Sequence, residues 1–346
     1  MESIKTDAII ITDPYNLRYF TGFRGGEGFS VIAGENKYLI VDSRYTEAAG
    51  RESDFEVIEY NNAKPLAEVF KSIVAENNIR KIGFEDENLT VAAFSLLKSQ
   101  MGEDLEYIPL GESLNAKRRI KKPYELEMLK AAEHIGDMAF DAVIGFIKPG
   151  LTELEVAAFL EYKMKQFGAN GLSFDTICAS GIHSSMPHAI PDDKKLETGD
   201  FVTMDFGCIY KGYCSDMTRT VVLGKADEKQ KEVYNLVRAA QQVGLDTIKA
   251  GMRCCDVDKA ARDVIEKAGY GKYFGHGLGH SVGLYIHEKP ALNTRDVTVL
   301  EAGMIETIEP GVYIPGFGGV RIEDMVAVTE DGCVNFAHSP KELLEL

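Results

Sequence analysis

The chain has 346 residues, a formal net charge of −16 and an apolar share of 45%. This length allows two domains or one large one, and the apolar share excludes a disordered protein. The acidic excess argues against nucleic acid as a partner, so the basic run at 117–122 is expected to be a solvated linker. The six cysteines contain no Cys-x-x-Cys pair, and no apolar stretch is long enough for a signal peptide or a membrane span.

Residues 1–116 alternate between predicted strands and helices. Runs of β-branched and aromatic residues predict strands at 7–12, 29–33, 37–41, 55–60 and 81–85. Apolar residues at helical spacing predict helices at 63–77 and 91–100. This alternation indicates an α/β domain, and because it contains no cluster of catalytic residues, we expect a scaffold or oligomerisation role for it.

A linker at 117–123 is followed by a predicted catalytic domain at 124–346. Helices are predicted at 124–147, 153–167, 228–250 and 256–268. Strands are predicted at 176–179, 201–207, 212–223, 304–309, 312–315, 320–322 and 325–329. A pair of helices followed by antiparallel strands occurs twice, which predicts one curved sheet with helices packed behind it.

The catalytic domain contains two imperfect copies of one sequence. The stretch from Leu196-Glu-Thr-Gly to Asp205 repeats, without a gap, as Leu300-Glu-Ala-Gly to Glu309, so Asp205 and Glu309 are equivalent positions. A second carboxylate follows each copy, Asp216 in the first and Glu323 in the second. We expect the copies to fold about a pseudo-two-fold axis where these carboxylates converge, a concentration of negative charge that requires metal ions.

The donor types indicate which metal to expect. We predict that the strands 201–207 and 212–223 form a hairpin in which Asp205 and Asp216 face each other. A fifth ligand is expected from the histidine cluster that contains His276, His280 and His287. Four carboxylates and one imidazole form an oxygen-rich set, which suits Mn²⁺ or Co²⁺ better than a structural zinc and allows two bridged ions.

Taken together, these motifs resemble the pita-bread metallopeptidases, the creatinase, aminopeptidase P and prolidase family, and its proline-specific branch in particular. The segments that carry the resemblance are 16–23, 179–188, 204–207, 213–220, 279–280, 287–288, 307–311 and 319–324. The resemblance implies an α+β protein with a creatinase-like N-terminal α/β domain. It further implies a C-terminal pita-bread domain with an internal pseudo-two-fold duplication.

The resemblance also implies roles for individual residues. Two divalent ions, Mn²⁺ with Co²⁺ or Zn²⁺ as alternatives, would be held by five side chains, namely Asp205, Asp216, His280, Glu309 and Glu323, of which Asp216 and Glu323 bridge. The catalytic residues would be His188 and His287, which bond to the scissile peptide, and Glu309, which moves the proton. The proline side of the substrate would meet His276, Tyr313 and Arg321. Three positions depart from the family pattern: Ser281, Tyr285 and Glu306.

The expected function is that of a Xaa-Pro aminopeptidase, acting on peptides with proline in the second position. Prolidase-like sequences tend to have Arg after the His-Glu-x-Pro segment, whereas Ala291 stands here, which favours the aminopeptidase over a Xaa-Pro dipeptidase. A metal-free amidinohydrolase and a non-catalytic peptide-binding module are disfavoured because all five ligand positions are intact. We expect a cytoplasmic homodimer.

Overall fold

The computed structural model describes residues 6–346, which divide into two compact units, 6–118 and 119–346. No helix among the described residues is both long enough and apolar enough to span a membrane.

The first unit is built on a six-stranded mixed sheet with the order β4-β3-β2-β1-β5-β6. Its strands are β1 (Ala8–Ile11), β2 (Phe29–Ala33), β3 (Asn36–Asp42), β4 (Glu56–Tyr60), β5 (Lys81–Phe84) and β6 (Glu106–Pro109). Its α-helices are α1 (Pro14–Thr21), α2 (Thr46–Glu52), α3 (Leu66–Glu76) and α4 (Val91–Met101). The predicted α/β character is confirmed, whereas α1, α2 and β6 were not predicted.

The helix α1 was not predicted because it is too short to be detected from the spacing of apolar residues. Its start depends on local chemistry, because the Asp13 side chain accepts a hydrogen bond from the Tyr15 amide and Pro14 opens the first turn. Its end depends on Gly22, which has a φ of 77°. Such capping signals define a helix of 8 residues that is too short to show a clear apolar stripe.

Four long helices form the helical part of the second unit: α5 (Pro123–Ile144), α6 (Glu153–Gln166), α7 (Glu228–Thr247) and α8 (Cys254–Lys267). Thr152 and Glu155 form a capping box at the start of α6, and Asp227 with Gln230 forms the same arrangement at the start of α7. The helix α7 ends earlier than predicted, because Ile248 adopts an extended conformation with ψ of 125°.

The strands of the second unit form four hydrogen-bonded sheets. The first copy contributes β7 (Gly171–Leu172), β8 (Ile177–Ser180), β9 (Phe201–Phe206), β10 (Cys208–Tyr210), β11 (Tyr213–Cys214) and β12 (Met217–Val222). The second contributes β13 (Gly279–Ser281), β14 (Glu288–Leu292), β15 (Ile305–Ile308), β16 (Gly311–Ile314), β17 (Gly318–Arg321), β18 (Asp324–Val328) and β19 (Cys333–Asn335). The sheets are β12-β9-β8, β11-β10-β7, β14-β13-β15-β18-β19 and β16-β17.

Two strand predictions are therefore wrong in detail. The hydrogen-bonded strands do not form one continuous sheet, and the hairpin of 201–207 with 212–223 is interrupted near Gly207. In the actual register Asp205 pairs with Thr218, so Asp216 lies two residues before the cross-strand partner of Asp205. Because side chains two residues apart on an extended chain point to the same side, the two carboxylates still share one side of the strand pair.

The duplication is visible in the packing. One hydrophobic cluster joins α5 and α6 to the strands of the first copy, with Phe140, Leu160 and Met204 fully buried. A second cluster joins α7 and α8 to the strands of the second copy, with Val237 and Ile308 fully buried. Each pair of helices thus packs mainly on the strands of its own copy, while Phe201 and Val222 of the first copy also belong to the second cluster.

Candidate metal centre

Side chains from both copies converge at one point in the second unit. Ligand atoms of Asp216, His280 and Glu323 all lie within 4.8 Å of one another. The His280 Nε2 atom lies 3.4 Å from an Asp216 oxygen and 3.6 Å from a Glu309 oxygen. The other ring nitrogen, Nδ1, is 3.2 Å from the carbonyl oxygen of Ser281. When Nδ1 donates to that carbonyl, Nε2 presents its lone pair to the carboxylates, which is the tautomer that a metal requires.

Glycines allow the backbone to bring these side chains together. A Cβ atom at Gly279 would lie 1.9 Å from the Thr307 carbonyl oxygen, so only glycine permits the approach that places His280 beside β15. In the first copy, a Cβ atom at Gly207 would lie 2.0 Å from the Ser215 carbonyl oxygen. The chain that carries Asp216 can therefore approach β9 only past a residue without a side chain.

Asp205 is held by a buried arginine. One of its carboxylate oxygens accepts a hydrogen bond of 2.6 Å from Arg321, whereas Oδ1 is buried and has no hydrogen-bond partner among residues 6–346. The same guanidinium donates to the Tyr313 hydroxyl at 2.8 Å and to the Thr218 hydroxyl at 3.0 Å. Arg321 is thus fully engaged within the protein.

The protonation of the carboxylates reflects how many of them share a buried space. Burial raises the pKa of Asp216 to about 6 and that of Glu309 to about 7. Burial and the neighbouring Asp216 raise the pKa of Glu323 well above its usual range. Burial alone would lower the pKa of His280, but the hydrogen bond to Asp216 and the charge of Glu309 outweigh it and raise that pKa to about 9. Without an added cation, part of this group must therefore hold protons at neutral pH.

The donor set fits two divalent cations. Five candidate ligand side chains face one cavity, four of them carboxylates, and Oδ1 of Asp205 lacks a partner in the described chain. Carboxylates that can each bridge two ions, together with one imidazole, match the ligands of dinuclear hydrolase sites. All five residues that the sequence analysis assigned as ligands line this cavity, which has a volume of about 570 Å³.

The predicted substrate residues lie at the same cavity. His188, His276, His287 and Arg321 line it, whereas Tyr313 is buried behind His276. Arg321 donates to the Tyr313 hydroxyl, which lies 3.0 Å from Nε2 of His276. Burial and the charge of Arg321 lower the pKa of His276 to about 4, so its imidazole is neutral and accepts from Tyr313. Partial desolvation and the nearby His280 lower the pKa of His287.

Other residues hold the ligands in place and were not identified from the sequence. The Thr218 hydroxyl donates to Glu323 at 2.6 Å, and the Thr307 hydroxyl lies 3.3 Å from an oxygen of Glu309. The Thr307 hydroxyl also accepts from the His280 amide at 3.0 Å. Thr307 in the second copy is equivalent to Thr203 in the first. This repetition of the threonine is a feature of the sequence from which its role could have been inferred. Thr218 lies two residues after Asp216 on an extended chain, and that spacing is its signal.

Comparison with known proteins agrees with this geometry. The sequence model of metallopeptidase family M24 matches residues 127–330. The sequence model of the creatinase/prolidase N-terminal domain matches residues 1–120. A Xaa-Pro dipeptidase of Pyrococcus furiosus is 39% identical, covering 99% of this chain and 97% of the relative.

Two solved structures show the same fold over nearly the whole length. A Xaa-Pro dipeptidase from Bacillus anthracis superposes with a TM-score of 0.95 at 45% identity, covering 99% of this chain and 95% of the other. An X-Pro aminopeptidase from Thermotoga maritima superposes with a TM-score of 0.92 at 38% identity, covering 99% and 98%. The pita-bread fold and the peptidase activity expected from the sequence are thereby confirmed. The chain belongs to metallopeptidase family M24 and carries a creatinase/prolidase N-terminal domain.

Proposed function

We propose that this peptidase is a dinuclear-metal Xaa-Pro aminopeptidase, which removes the first residue from peptides with proline in second position. The observation that carries the proposal is the charge of the cavity wall. Arg321 is the one arginine or lysine among the described lining residues, and it is bound to Asp205. A dipeptide would place its free carboxylate beside the proline, where that charge needs a cation of its own. A longer peptide has an uncharged peptide bond there.

The arrangement of side chains supports a division of roles. Two divalent cations held by Asp205, Asp216, His280, Glu309 and Glu323 would supply a water nucleophile at neutral pH by lowering the pKa of bound water. Glu309, one of the carboxylates at the cavity, accepts and returns the proton. His188 and His287, both exposed at the cavity, contact the scissile peptide. The neutral His276 with Tyr313 behind it forms a flat wall for the proline ring, which has no amide hydrogen to be recognised.

The ion, the assembly and the location are also part of the proposal. The excess of carboxylate over imidazole ligands favours Mn²⁺ over Zn²⁺. A homodimer paired through the first unit is supported by the lack of a catalytic cluster in residues 6–118, and a cytoplasmic location by six cysteines without a disulfide.

A Xaa-Pro dipeptidase is the second candidate. It is favoured by the names of similar proteins, because those from Pyrococcus furiosus and Bacillus anthracis are both called Xaa-Pro dipeptidases. The two candidates differ in a single group of the substrate, the carboxylate that directly follows the proline.

A peptide series separates the candidates. The metal-loaded enzyme is given Ala-Pro, Ala-Pro-Ala, Ala-Pro-Ala-Ala and the control Ala-Leu-Ala, and kcat/KM is measured for each. The aminopeptidase is expected to cleave both longer proline peptides with a higher kcat/KM than Ala-Pro and to leave Ala-Leu-Ala intact. A higher kcat/KM on Ala-Pro identifies a dipeptidase, and the absence of cleavage at every Xaa-Pro bond rejects both candidates.

A further inference from the structure

A second cavity adjoins the metal cavity and has no role in the proposed mechanism. Its volume is about 610 Å³, and His276, Gly277 and Asn293 line both cavities. The boundary is tightly packed, because a Cβ atom at Gly277 would lie 2.8 Å from the Leu292 carbonyl oxygen. Since the imidazole of His276 faces the proposed proline position, the second cavity begins where a substrate continues beyond its proline.

The charged side chains around the second cavity differ in whether they already have hydrogen-bond or ion-pair partners. Arg262 donates to both oxygens of Asp258 at 2.8 Å and to two backbone carbonyls, so its guanidinium is engaged. The carboxylate of Asp296 accepts from the amides of Ala291 and Thr298. Arg295 is exposed, and within residues 6–346 its side chain has neither a hydrogen bond nor an ion pair. It is therefore the uncommitted cation of this cavity.

The backbone that presents Arg295 is ordered by local hydrogen bonds. The side-chain oxygen of Asn293 accepts from the amides of Arg295 and Asp296, at 2.9 and 3.0 Å. The bond between Asp296 and the Ala291 amide closes the same turn, at 3.1 Å. Arg295 thus lies on a restrained turn, four residues after Ala291, which lines the metal cavity.

We propose that the second cavity is the binding site for the residue that follows proline, and that Arg295 binds the terminal carboxylate of a Xaa-Pro-Yaa tripeptide. This inference rests on the proposed function, because it assumes that the substrate runs from the metal ligands past His276. An added residue moves the carboxylate by about 3.3–3.6 Å in an extended chain, from the wall at Ala291 toward the second cavity. The guanidinium is suited to this ligand because its donors match the two oxygens of a carboxylate.

The test compares a free carboxylate with an amide at the same position. Wild-type enzyme and the variant Arg295→Met are assayed with Ala-Pro-Ala, Ala-Pro-Ala-amide and Ala-Pro. We expect Arg295→Met to raise KM for Ala-Pro-Ala by about threefold to tenfold, a modest effect because the arginine is exposed. The KM for the amide and kcat for both tripeptides should stay unchanged. Arg295→Lys should retain part of the preference for the acid, and Arg80→Met, at an exposed arginine of the first unit, serves as the control.

Three results would overturn the inference. An equal change in KM for acid and amide would show that Arg295 does not bind the carboxylate. A larger effect on Ala-Pro than on Ala-Pro-Ala would place the bound carboxylate directly after the proline. An unchanged KM for all three peptides would remove Arg295 from substrate binding. In each case, a higher kcat/KM of the wild type on Ala-Pro-Ala than on Ala-Pro would leave the proposed function standing, so the two failures are distinguishable.

Discussion

Lys121 and Glu288 form an ion pair in the interior of the second unit, with Nζ and Oε2 3.0 Å apart and side chains only 1% and 4% exposed. Glu288 directly follows His287 in the chain. It also belongs to a row across three neighbouring strands, because Ser281 pairs with Glu288 on one side and Glu306 on the other. Both Glu306 carboxyl oxygens are buried without a hydrogen bond in the described chain, and burial raises the pKa of Glu306 well above its usual range. The single ammonium group of Lys121 therefore balances the charge of Glu288, whereas burial favours the protonated form of Glu306.

Removal of Lys121 should be costly because it leaves a charged carboxylate buried. We expect Lys121→Met to lower the free energy of unfolding by about 3–5 kcal/mol, measured by urea denaturation of the metal-free protein. The double variant Lys121→Met/Glu288→Leu should recover most of that loss. Lys130→Met breaks an exposed pair with Glu127 and should cost less than about 1 kcal/mol. Equal losses for Lys121→Met and Lys130→Met would contradict the prediction.

Loss of Asp216, which is predicted to bridge the two metal ions, should remove both metal and activity. Asp216→Asn keeps the size of the side chain but removes a negative charge at the centre of the cluster, so we expect metal content to fall and kcat to drop by more than about a hundredfold. Elemental analysis of the dialysed protein and an assay with Ala-Pro-Ala measure the two effects. Asp331→Asn, at an exposed carboxylate outside the cavity, is the matched control. Full activity of Asp216→Asn after chelation would refute a metal role for this residue.

Metal affinity should rise with pH. The free site holds protons with pKa values of about 9 on His280, 7 on Glu309 and 6 on Asp216, and a metal binds the deprotonated forms. Raising the pH from 6 to 9 removes those protons, so the apparent affinity for Mn²⁺ increases over this range and levels off above it. Calorimetry in two buffers of different ionisation enthalpy counts the protons released. Equal affinity and no proton release at pH 6 and pH 8 would be inconsistent with these pKa values.

A cation at position 291 should change the preferred substrate length. Ala291→Arg places a guanidinium at the wall of the metal cavity, where the carboxylate of a dipeptide would lie. We expect the ratio of kcat/KM on Ala-Pro to that on Ala-Pro-Ala to rise. The rise should correspond to about 1–3 kcal/mol of additional transition-state binding for the dipeptide. Ala291→Gln, which adds a polar side chain of intermediate length without charge, controls for size. An equal shift in the glutamine variant would exclude a charge effect.

The internal repeat predicted the candidate site better than it predicted the strands around it. Equivalent carboxylates at Asp205 and Glu309 could be identified from the gap-free register, and both line the metal cavity. The strand register that relates Asp205 to Asp216 could not be identified from the sequence, because it depends on how closely the backbone at Ser215 approaches Gly207. Pattern analysis detects alternation along one strand, whereas this offset arises from a contact between two segments.

The strand β13, which carries His280, was missed for a similar reason. The strand β13 has only three residues and contains Gly279 and His280, neither of which favours an extended strand by propensity. It is held in place by its neighbours, since His280 pairs with Ala291 of β14 and the His280 amide donates to Thr307 of β15. The hydrogen-bonded ion pair of Arg321 with Asp205 was likewise not predicted, because the two residues are 116 positions apart in the sequence.

The five candidate ligands are divided between the copies, with Asp205 and Asp216 in the first and His280, Glu309 and Glu323 in the second. A bound pair of metal ions would therefore link the two copies, whose helices pack on largely separate hydrophobic clusters. Neither copy contains a full ligand set, so a single repeat made as an isolated polypeptide could complete the centre only by associating with another. For an ancestor that had one repeat, dimerisation would have been a condition of catalysis, and fusion of the genes would have made the association permanent.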